Sequence, residues 1–566
     1  MMLSNLNLLA TAPGGVARLR ELILTLAVQG KLVAQDPEDE PASALLKKIR
    51  SEKDQLIAEG KIKRDKPLAE IAEEEKPFGL PAGWKWERFG AIAGIERGGS
   101  PRPIESFLTD DPTGLNWIKI GDTEKGGKYI TSASQKIKRE GLVKTRMVFP
   151  GDFLLTNSMS FGRPYITQIE GCIHDGWLRI SPPSSLNKDF LYLLLSSRFI
   201  RNVFEAAAAG GVVLNLNADK VRTVPIPLPP LSEQSRIVTR VEELMSLCDA
   251  LEAKSQLEAT QHAQLVSTLL ATLTDSATPA QLLENWHRVA THFDLLLDRP
   301  EAVDALEQTI LQLAVRGLLV PQDPQDEPAS ELLKKIRAEK DKLIAAGKIK
   351  RDKTLPPIEE EEQPFALPQG WEWVRMGLLG KAFDYGTSQK SVDDSSAVPV
   401  LRMGNIQNGR VVMNNLKYLV DREGDLPGLL LKKDDLLFNR TNSYELVGKT
   451  GLFEGFHRDV TFASYLIRVK LMKGLVSPQY VDMYMNSRDC RVNEIEPDLT
   501  QQTGQANYNG TKLKSIRIPL PPVAEQSRIV TRVAQLRRLC ADLRQRMSAS
   551  QATQAQLAEA LVQEIA

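Results

Sequence analysis

An internal duplication constrains this chain more than any other feature of its sequence. Val16–Arg88 aligns with Val303–Arg375 at a constant offset of 287 without a gap, and 50 of the 73 positions are identical. The shared text includes QDP.DEPAS.LLKKIR.EKD.LIA.GKIKRDK and closes on PF.LP.GW.W, which sets Trp84 and Trp86 against Trp371 and Trp373. A second repeat pairs Pro227–Val241 (PLPPLSEQSRIVTRV) with Pro519–Val533 (PLPPVAEQSRIVTRV) at an offset of 292. The order is therefore A–x–B–A–y–B. Segments x and y share only islands, such as Trp117–Asp122 (WIKIGD) beside Val400–Asn405 (VLRMGN) and Gly151–Leu155 (GDFLL) beside Asp434–Phe438 (DDLLF). Alike flanks around unlike inserts read as one fold carrying two different surfaces.

At 566 residues the chain is too long for one compact domain. The periodicities divide it into a repeated helical N-terminal region and linker (1–84), a first module (85–226), a central helical spacer and linker (227–370), a second module (371–518) and a C-terminal spacer helix (519–566). Leu19–Val28 is apolar on most faces. Ala42–Glu59 places Leu45, Leu46, Ile49, Leu56 and Ile57 at helical spacing, with Ser43 as N-cap and Gly60 as stop. The acidic, proline-bearing stretches Pro67–Pro81 and Leu355–Pro368 read as linkers whose charges are solvated.

PLPP cannot sit inside a helix, so each B segment opens a long one just after it, the first over Ser232–Leu273. Ile237, Val241, Leu244, Cys248 and Leu251 follow a 4-3-4-3 spacing, repeated by Ile529, Val533, Leu536, Cys540 and Leu543. A single such stripe reads nearly as well as one amphipathic helix on a globular core. Two copies in the same phase favour a coiled-coil seam, expected to pair the two helices antiparallel, with its cysteines as buried apolar fillers. In the modules, β-type runs (Asn116–Ile120, Met147–Leu155, Gly171–Ile180, Val460–Val469) accompany a helix in each, Lys188–Ala209 and Pro478–Val492. The expected fold class is α+β: two α+β recognition domains separated by long antiparallel coiled-coil helices, with pseudo-two-fold symmetry from the duplication.

Composition excludes several classes. The four cysteines, Cys172, Cys248, Cys490 and Cys540, form no CxxC pair, which argues against zinc and a disulfide framework and fits a reducing cytoplasm. No apolar run reaches the length of a membrane span, and no signal peptide opens the chain. Net charge is zero, yet Arg88–Arg222 carries 18 basic and 13 acidic residues and Arg375–Arg517 carries 20 and 16. Gly448-Lys449-Thr450 is not a phosphate loop, because Ser443 stands where the motif needs glycine. Ser181-Pro-Pro-Ser184 lacks the aromatic of an adenine-methyltransferase loop, and no glycine-rich cofactor turn precedes it.

The A–x–B–A–y–B order resembles the specificity subunit of Type I restriction–modification enzymes. The resemblance is carried by the PLPP[LV].EQSRIV openings, by Asp434-Asp-Leu-Leu-Phe-Asn-Arg-Thr-Asn-Ser443 running to Gly448-Lys-Thr-Gly451, and by Gly504-Gln-Ala-Asn-Tyr-Asn-Gly-Thr-Lys-Leu-Lys514. It covers essentially the whole chain. It implies that each module reads half of a bipartite site on double-stranded DNA, while the helices set the spacing and dock two modification subunits. Those partners would hold S-adenosylmethionine and methylate adenine; restriction (translocase) subunits would use ATP and magnesium. No cofactor is expected on this chain. The first module departs from the pattern: Leu155-Thr-Asn-Ser-Met-Ser160 lacks the arginine found at Arg440, and Gly210-Gly-Val-Val-Leu-Asn215 replaces Gly504-Gln-Ala-Asn507.

Base edges are read by Arg at guanine and by Asn or Gln at adenine, whereas Lys and Arg on phosphates fix position. On that chemistry the candidates in the second module are Arg402, Asn439, Arg440, Asn442, Lys449, Gln505, Asn507 and Lys512. Those in the first are Arg97, Lys119, Asn157, Arg163, Asn215 and Lys220. Asn, Thr and Ser at such density also form turns. The alternatives to a DNA-specificity subunit are a coiled-coil protein–protein scaffold with two peptide-binding modules, and a fused methyltransferase–specificity enzyme, which the missing cofactor loop disfavours.

Overall fold

The computed structural model describes residues 8–59, 67–124, 126–157, 161–208, 216–276, 278–351, 353, 355–421, 424, 426–502 and 505–565. The chain divides into two units, one formed by Met1–Leu257 with Gln551–Ala566 and the other by Glu258–Ser550. Helices and strands are mixed in both.

In the first unit, helices Gly15–Val28 and Ala42–Ala58 come from segment A. The second of these is not capped by Ser43. It begins after Pro41, and its first N–H, on Ala42, donates to the carbonyl of Gly83 at 2.8 Å. The same bond joins Ala329 to Gly370 at the start of Ala329–Ala345 in the second unit. The GW.W text therefore caps a helix from a distance. Gly30 turns the chain with φ +70°, and a Cβ there would lie 2.5 Å from Pro81 and 3.0 Å from Trp84. Gly317 stands in the same relation to Pro368 and Trp371.

Each module is closed by a two-stranded clasp, Lys85–Arg88 with Pro225–Leu228 in the first and Glu372–Arg375 with Arg517–Leu520 in the second. Behind the clasp lies a buried carboxylate. Glu233 accepts the Trp84 indole N–H at 2.8 Å, and Glu525 accepts that of Trp371 at 2.9 Å. Gln234 and Gln526 next in sequence take backbone N–H groups of Asn187 and Ser477, where a module helix begins. Segments A, x or y, and B are thus tied at one point through a Trp, a Glu and a Gln that are identical in the two copies.

The two modules share a strand order. In the first, Gly94–Arg97, Trp177–Ser181, Phe153–Thr156 and Pro164–Thr167 are neighbours in that order; in the second, Gly380–Tyr385, Leu466–Leu471, Leu436–Asn439 and Thr450–Leu452. A second sheet in each contains one parallel pair, Leu115–Ile118 with Gly171–Ile173 and Val398–Leu401 with Thr461–Phe462. The central strand is buried on both faces. Phe153 and Leu155 face the helical core while Leu154 faces the second sheet's core; Leu436 and Phe438 alternate with Leu437 likewise.

Several expectations need correction. The seam residues Ile237, Val241 and Cys248 pack with Ile23, Ala27 and Val28 of their own copy's A helix, so this part of the seam is filled from within the copy. Arg20 on the A helix meets Asp249 at 2.6 Å and Glu252 at 2.9 Å. Ile529, Val533 and Cys540 share a core with Val303, Leu306 and Ile310, and Arg544 bridges to Asp304 and Glu307. Leu251, at the end of the first seam, is exposed. A 4-3 stripe says that a helix needs a partner, not which partner. The long helices run over Leu231–Thr274 and Val523–Ile565.

The module helices are interrupted as well. Lys188–Ser196 and Arg198–Ala208 replace the single helix expected, because the Ser197 hydroxyl donates to the Leu194 carbonyl and accepts from the Ile200 N–H. Ser487 interrupts the second module's helix after Pro478–Met485 in the same way. The linkers are not merely solvated: Glu75 makes two 2.8 Å bonds to the buried Arg88, and Glu362 contacts Arg375.

Glu233→Ala should destabilise the chain by about 1–3 kcal/mol in chemical denaturation, because it strands a buried indole N–H, whereas Glu233→Gln keeps an acceptor and should cost less. Buried Asp482, which accepts from the Thr450 hydroxyl at 2.7 Å, has its pKa pushed up to about 7, chiefly by burial. A carboxyl raised on folding favours the folded state most below its unfolded value near 4, and this advantage is lost as pH rises to about 7. Asp482→Asn should remove this slope, on the order of a few kcal/mol, in melting curves taken at pH 5 and pH 8.

Candidate nucleic-acid interface

In the second module, the strand Leu436–Asn439 leaves the core and continues into Arg440 and the short strand Thr441–Asn442. That short strand pairs with Gln505–Asn507, which pairs in turn with Thr500–Gln502. Two polar runs far apart in sequence thereby become neighbours in one small sheet, bringing Arg440, Asn442, Gln505 and Asn507 together. The Thr441 hydroxyl donates to the Asn507 side-chain oxygen at 2.8 Å across the pair. Lys512 lies just beyond, in Gly510–Ser515, where the Asn509 side chain accepts its backbone N–H at 2.9 Å.

Arg440 is the centre of this arrangement. Its guanidinium lies 5.1 Å from the centre of the Tyr385 ring and donates through Nη1 to the Ser464 carbonyl at 3.2 Å, while its Nε is buried without a partner. The Tyr385 hydroxyl accepts the Gly510 N–H at 2.8 Å, and a Cβ on Gly510 would lie 2.9 Å from that oxygen. Tyr385 and Tyr465, each nearly half exposed, flank the arginine: the Arg440 N–H donates to the Tyr465 carbonyl. Sequence reasoning missed both tyrosines, because no motif marks them and only strand pairing brings them beside Arg440.

The remaining candidates of this module fall in different places. Asn439 is 1% exposed, so its side chain cannot reach a base; its backbone bonds to Lys449 and Gly448 instead. Lys449 is half-buried, and burial, then nearby Arg491, lowers its pKa. Arg402 directly follows Val398–Leu401, the central strand of the other sheet, and its Nη2 donates to the Asn415 carbonyl at 2.9 Å.

In the first module, Asn157 is also a structural residue rather than a reader. It is 2% exposed, and its amide donates to the Asp175 carbonyl at 2.8 Å. Asn215 lies outside the described residues. Lys220 occupies the position of Lys512, its N–H capped by Asn217 at 2.8 Å in Ala218–Thr223. Arg163 and Arg97 are exposed, and Arg97 Nε donates to the Asp175 carbonyl at 3.2 Å. Lys119 lines a cavity with Ser100, Arg102, Trp117 and His174. Burial lowers the His174 pKa, and backbone N–H groups of Ile120 and Gly176 face its two ring nitrogens, so protonation would set N–H against N–H. Among the described residues, no three His, Cys, Asp or Glu side chains come together as a metal site, and no helix is long and apolar enough to cross a membrane.

Comparison with known proteins assigns this architecture. The Methylase_S family, described as the Type I restriction modification DNA specificity domain, matches residues 81–261 and again 368–550. The chain is 37% identical over 563 residues to the Type I restriction enzyme EcoEI specificity subunit of Escherichia coli, covering 97% of this chain and 93% of that one. It is likewise 37% identical over 572 residues to the EcoAI specificity subunit of Escherichia coli, with the same coverage. The crystal structure of the HsdS subunit from Thermoanaerobacter tengcongensis matches 86% of this chain and 98% of that one at 17% identity and a TM-score of 0.37, too loose an overlay to transfer geometry. With its domain present twice and a relative alike over nearly its whole length, the chain belongs to the family of Type I restriction–modification DNA specificity subunits.

Proposed function

We propose that this chain is the non-catalytic, DNA-reading subunit of a cytoplasmic Type I restriction–modification complex, in which each module reads one half of an asymmetric, bipartite site on double-stranded DNA. The observation that carries this reading is a shared strand order bearing unlike edges. Arg440, Asn442 and Asn507 gather on a small sheet in the second module, whereas the text at the corresponding place in the first has no arginine. Two folds of one kind with different polar edges suit two different half-sites on one duplex. Guanine offers a guanidinium two acceptors, and adenine offers an amide an acceptor and a donor.

The long helices, Leu231–Thr274 and Val523–Ile565, are proposed to pair antiparallel as a spacer and to dock two modification subunits. S-adenosylmethionine then belongs to those partners, and ATP and magnesium to the restriction subunits. This chain contributes position and sequence choice but no reacting group. Incubated alone with DNA and a labelled methyl donor, it should incorporate nothing.

Mapping methylated adenines in cells that carry the full system tests the reading directly. A split, non-palindromic motif is expected, and two identical half-sites would refute the role of the unlike modules. Binding by the assembled complex should weaken steeply with salt, because each neutralised phosphate contributes roughly 0.9 to the log–log slope; a flat response would favour the peptide-binding scaffold. Adding residues within 251–274 should lengthen the spacer between half-sites while both half-sites persist, as read by the same mapping.

A further inference from the structure

We propose that the turn Arg139–Lys144 of the first module is its groove-entering element, with Val143 as an apolar contact to a base step and the cations around it on phosphates. This rests on the DNA-specificity reading above and names residues that no motif marked. Five of the residues from Gln135 to Arg146 are basic (Lys136, Lys138, Arg139, Lys144 and Arg146), and Glu140 is the only acid among them.

The turn is a single short 3-10 helix projecting between the strands Gln135–Ile137 and Arg146–Val148. At its apex Val143 is 89% exposed, and Leu142 beside it is 40% exposed. Val143 is the most exposed of the large hydrophobic residues among the described ones, and Leu142 beside it widens the apolar tip. Arg139 and Lys144 are both exposed, and neither side chain has an ion pair among the described residues. The base of the turn is rigid: a Cβ on Gly141 would lie 3.3–3.5 Å from Ile137, Phe107 and Pro101.

The turn also draws the other cations of the module around it. Arg146 donates through Nε to the Arg97 carbonyl at 3.1 Å and pairs with Glu96 at 2.7 Å. Gly99 packs so closely on the Lys144 carbonyl that a Cβ would lie 2.5 Å from that oxygen. Arg102, mostly exposed, follows three residues later and pairs with Asp175 at 3.4 Å. Cations from two chain segments, Arg97–Arg102 and Lys136–Arg146, thus lie about one apolar tip. That combination is complementary to a duplex, whose phosphates flank a groove floored by base edges and thymine methyl groups. A protein partner would be served by the aliphatic pair without the ring of cations. In the second module the corresponding stretch contains the helix Leu426–Leu429, whose Leu426 is buried.

The test uses the assembled complex and two variants, Val143→Ala and the double variant Arg139→Ala with Lys144→Ala. All of these side chains are exposed, so melting temperatures should stay at the unsubstituted value. In salt titrations the double variant should lose about 2 from the log–log slope, roughly 0.9 for each phosphate released. Val143→Ala should weaken binding to the cognate site by roughly tenfold and relax the methylated motif at one position of the first half-site, with the second half-site unchanged. An unchanged slope and an unchanged first half-site would overturn the proposal even though the complex still reads a split motif. A failure of the broader reading would show differently, as no split motif in the unsubstituted complex. If the variants instead prevent assembly with the modification subunits, as judged by size-exclusion chromatography, the tip is a protein contact and the proposal is wrong.

Discussion

The indole N–H of Trp84 on the Glu233 carboxylate, and of Trp371 on Glu525, is the interaction on which the rest of each unit depends. Burying a carboxylate is costly unless strong donors meet it, and burial does raise the pKa of both groups. The cost is offset because the same glutamate stands at the start of a long helix and reaches a tryptophan that follows the linker. The glutamine beside it seats a helix of the module. One buried contact therefore fixes the module, the linker and the long B helix together, and in both copies it is made by Trp, Glu and Gln. This explains why the Trp of PF.LP.GW.W and the EQ of PLPP..EQ recur in both copies.

With the frame so fixed, the modules are free to differ at their edges. Their central strands are buried on both faces, which demands apolar residues but not particular ones. Leu154 and Leu437 face the second sheet's core in their respective modules. The parallel strand pair and the clasp register survive with little shared sequence. Polar loops at the ends of those strands carry no such demand, so Arg440 with Tyr385 in one module and a bare Val143 among cations in the other sit on the same scaffold. A specificity subunit needs this separation between a frame that must not move and edges that must vary.

Reading the sequence went furthest where periodicity was strong and failed where side chains bond their own backbone. The long B helices matched expectation to within a residue or two, since a 4-3 stripe over many turns is unambiguous. Ser197 and Ser487 broke helices that hydropathy would have continued, because a serine hydroxyl competes for the carbonyl and N–H groups at a helix end. Asn157 and Asn439 looked like base readers by residue type, yet both are buried by the strand geometry that carries them. Tyr385 could not be found from sequence at all, since its partner Arg440 stands between two strands, Leu436–Asn439 and Thr441–Asn442, far along the chain.

By itself the sequence determined the duplication, the α+β class, the long B helices and the family. Each of these rests on local pattern or on repetition, which need no knowledge of what touches what. Only the tertiary structure decided that the first seam packs on its own A helix, that the linker glutamates hold Arg88 and Arg375, and that Thr441–Asn442 and Gln505–Asn507 are adjacent strands. Those are long-range pairings, set by which surfaces are left uncovered once the helices and sheets have formed, and a linear pattern carries no record of that competition.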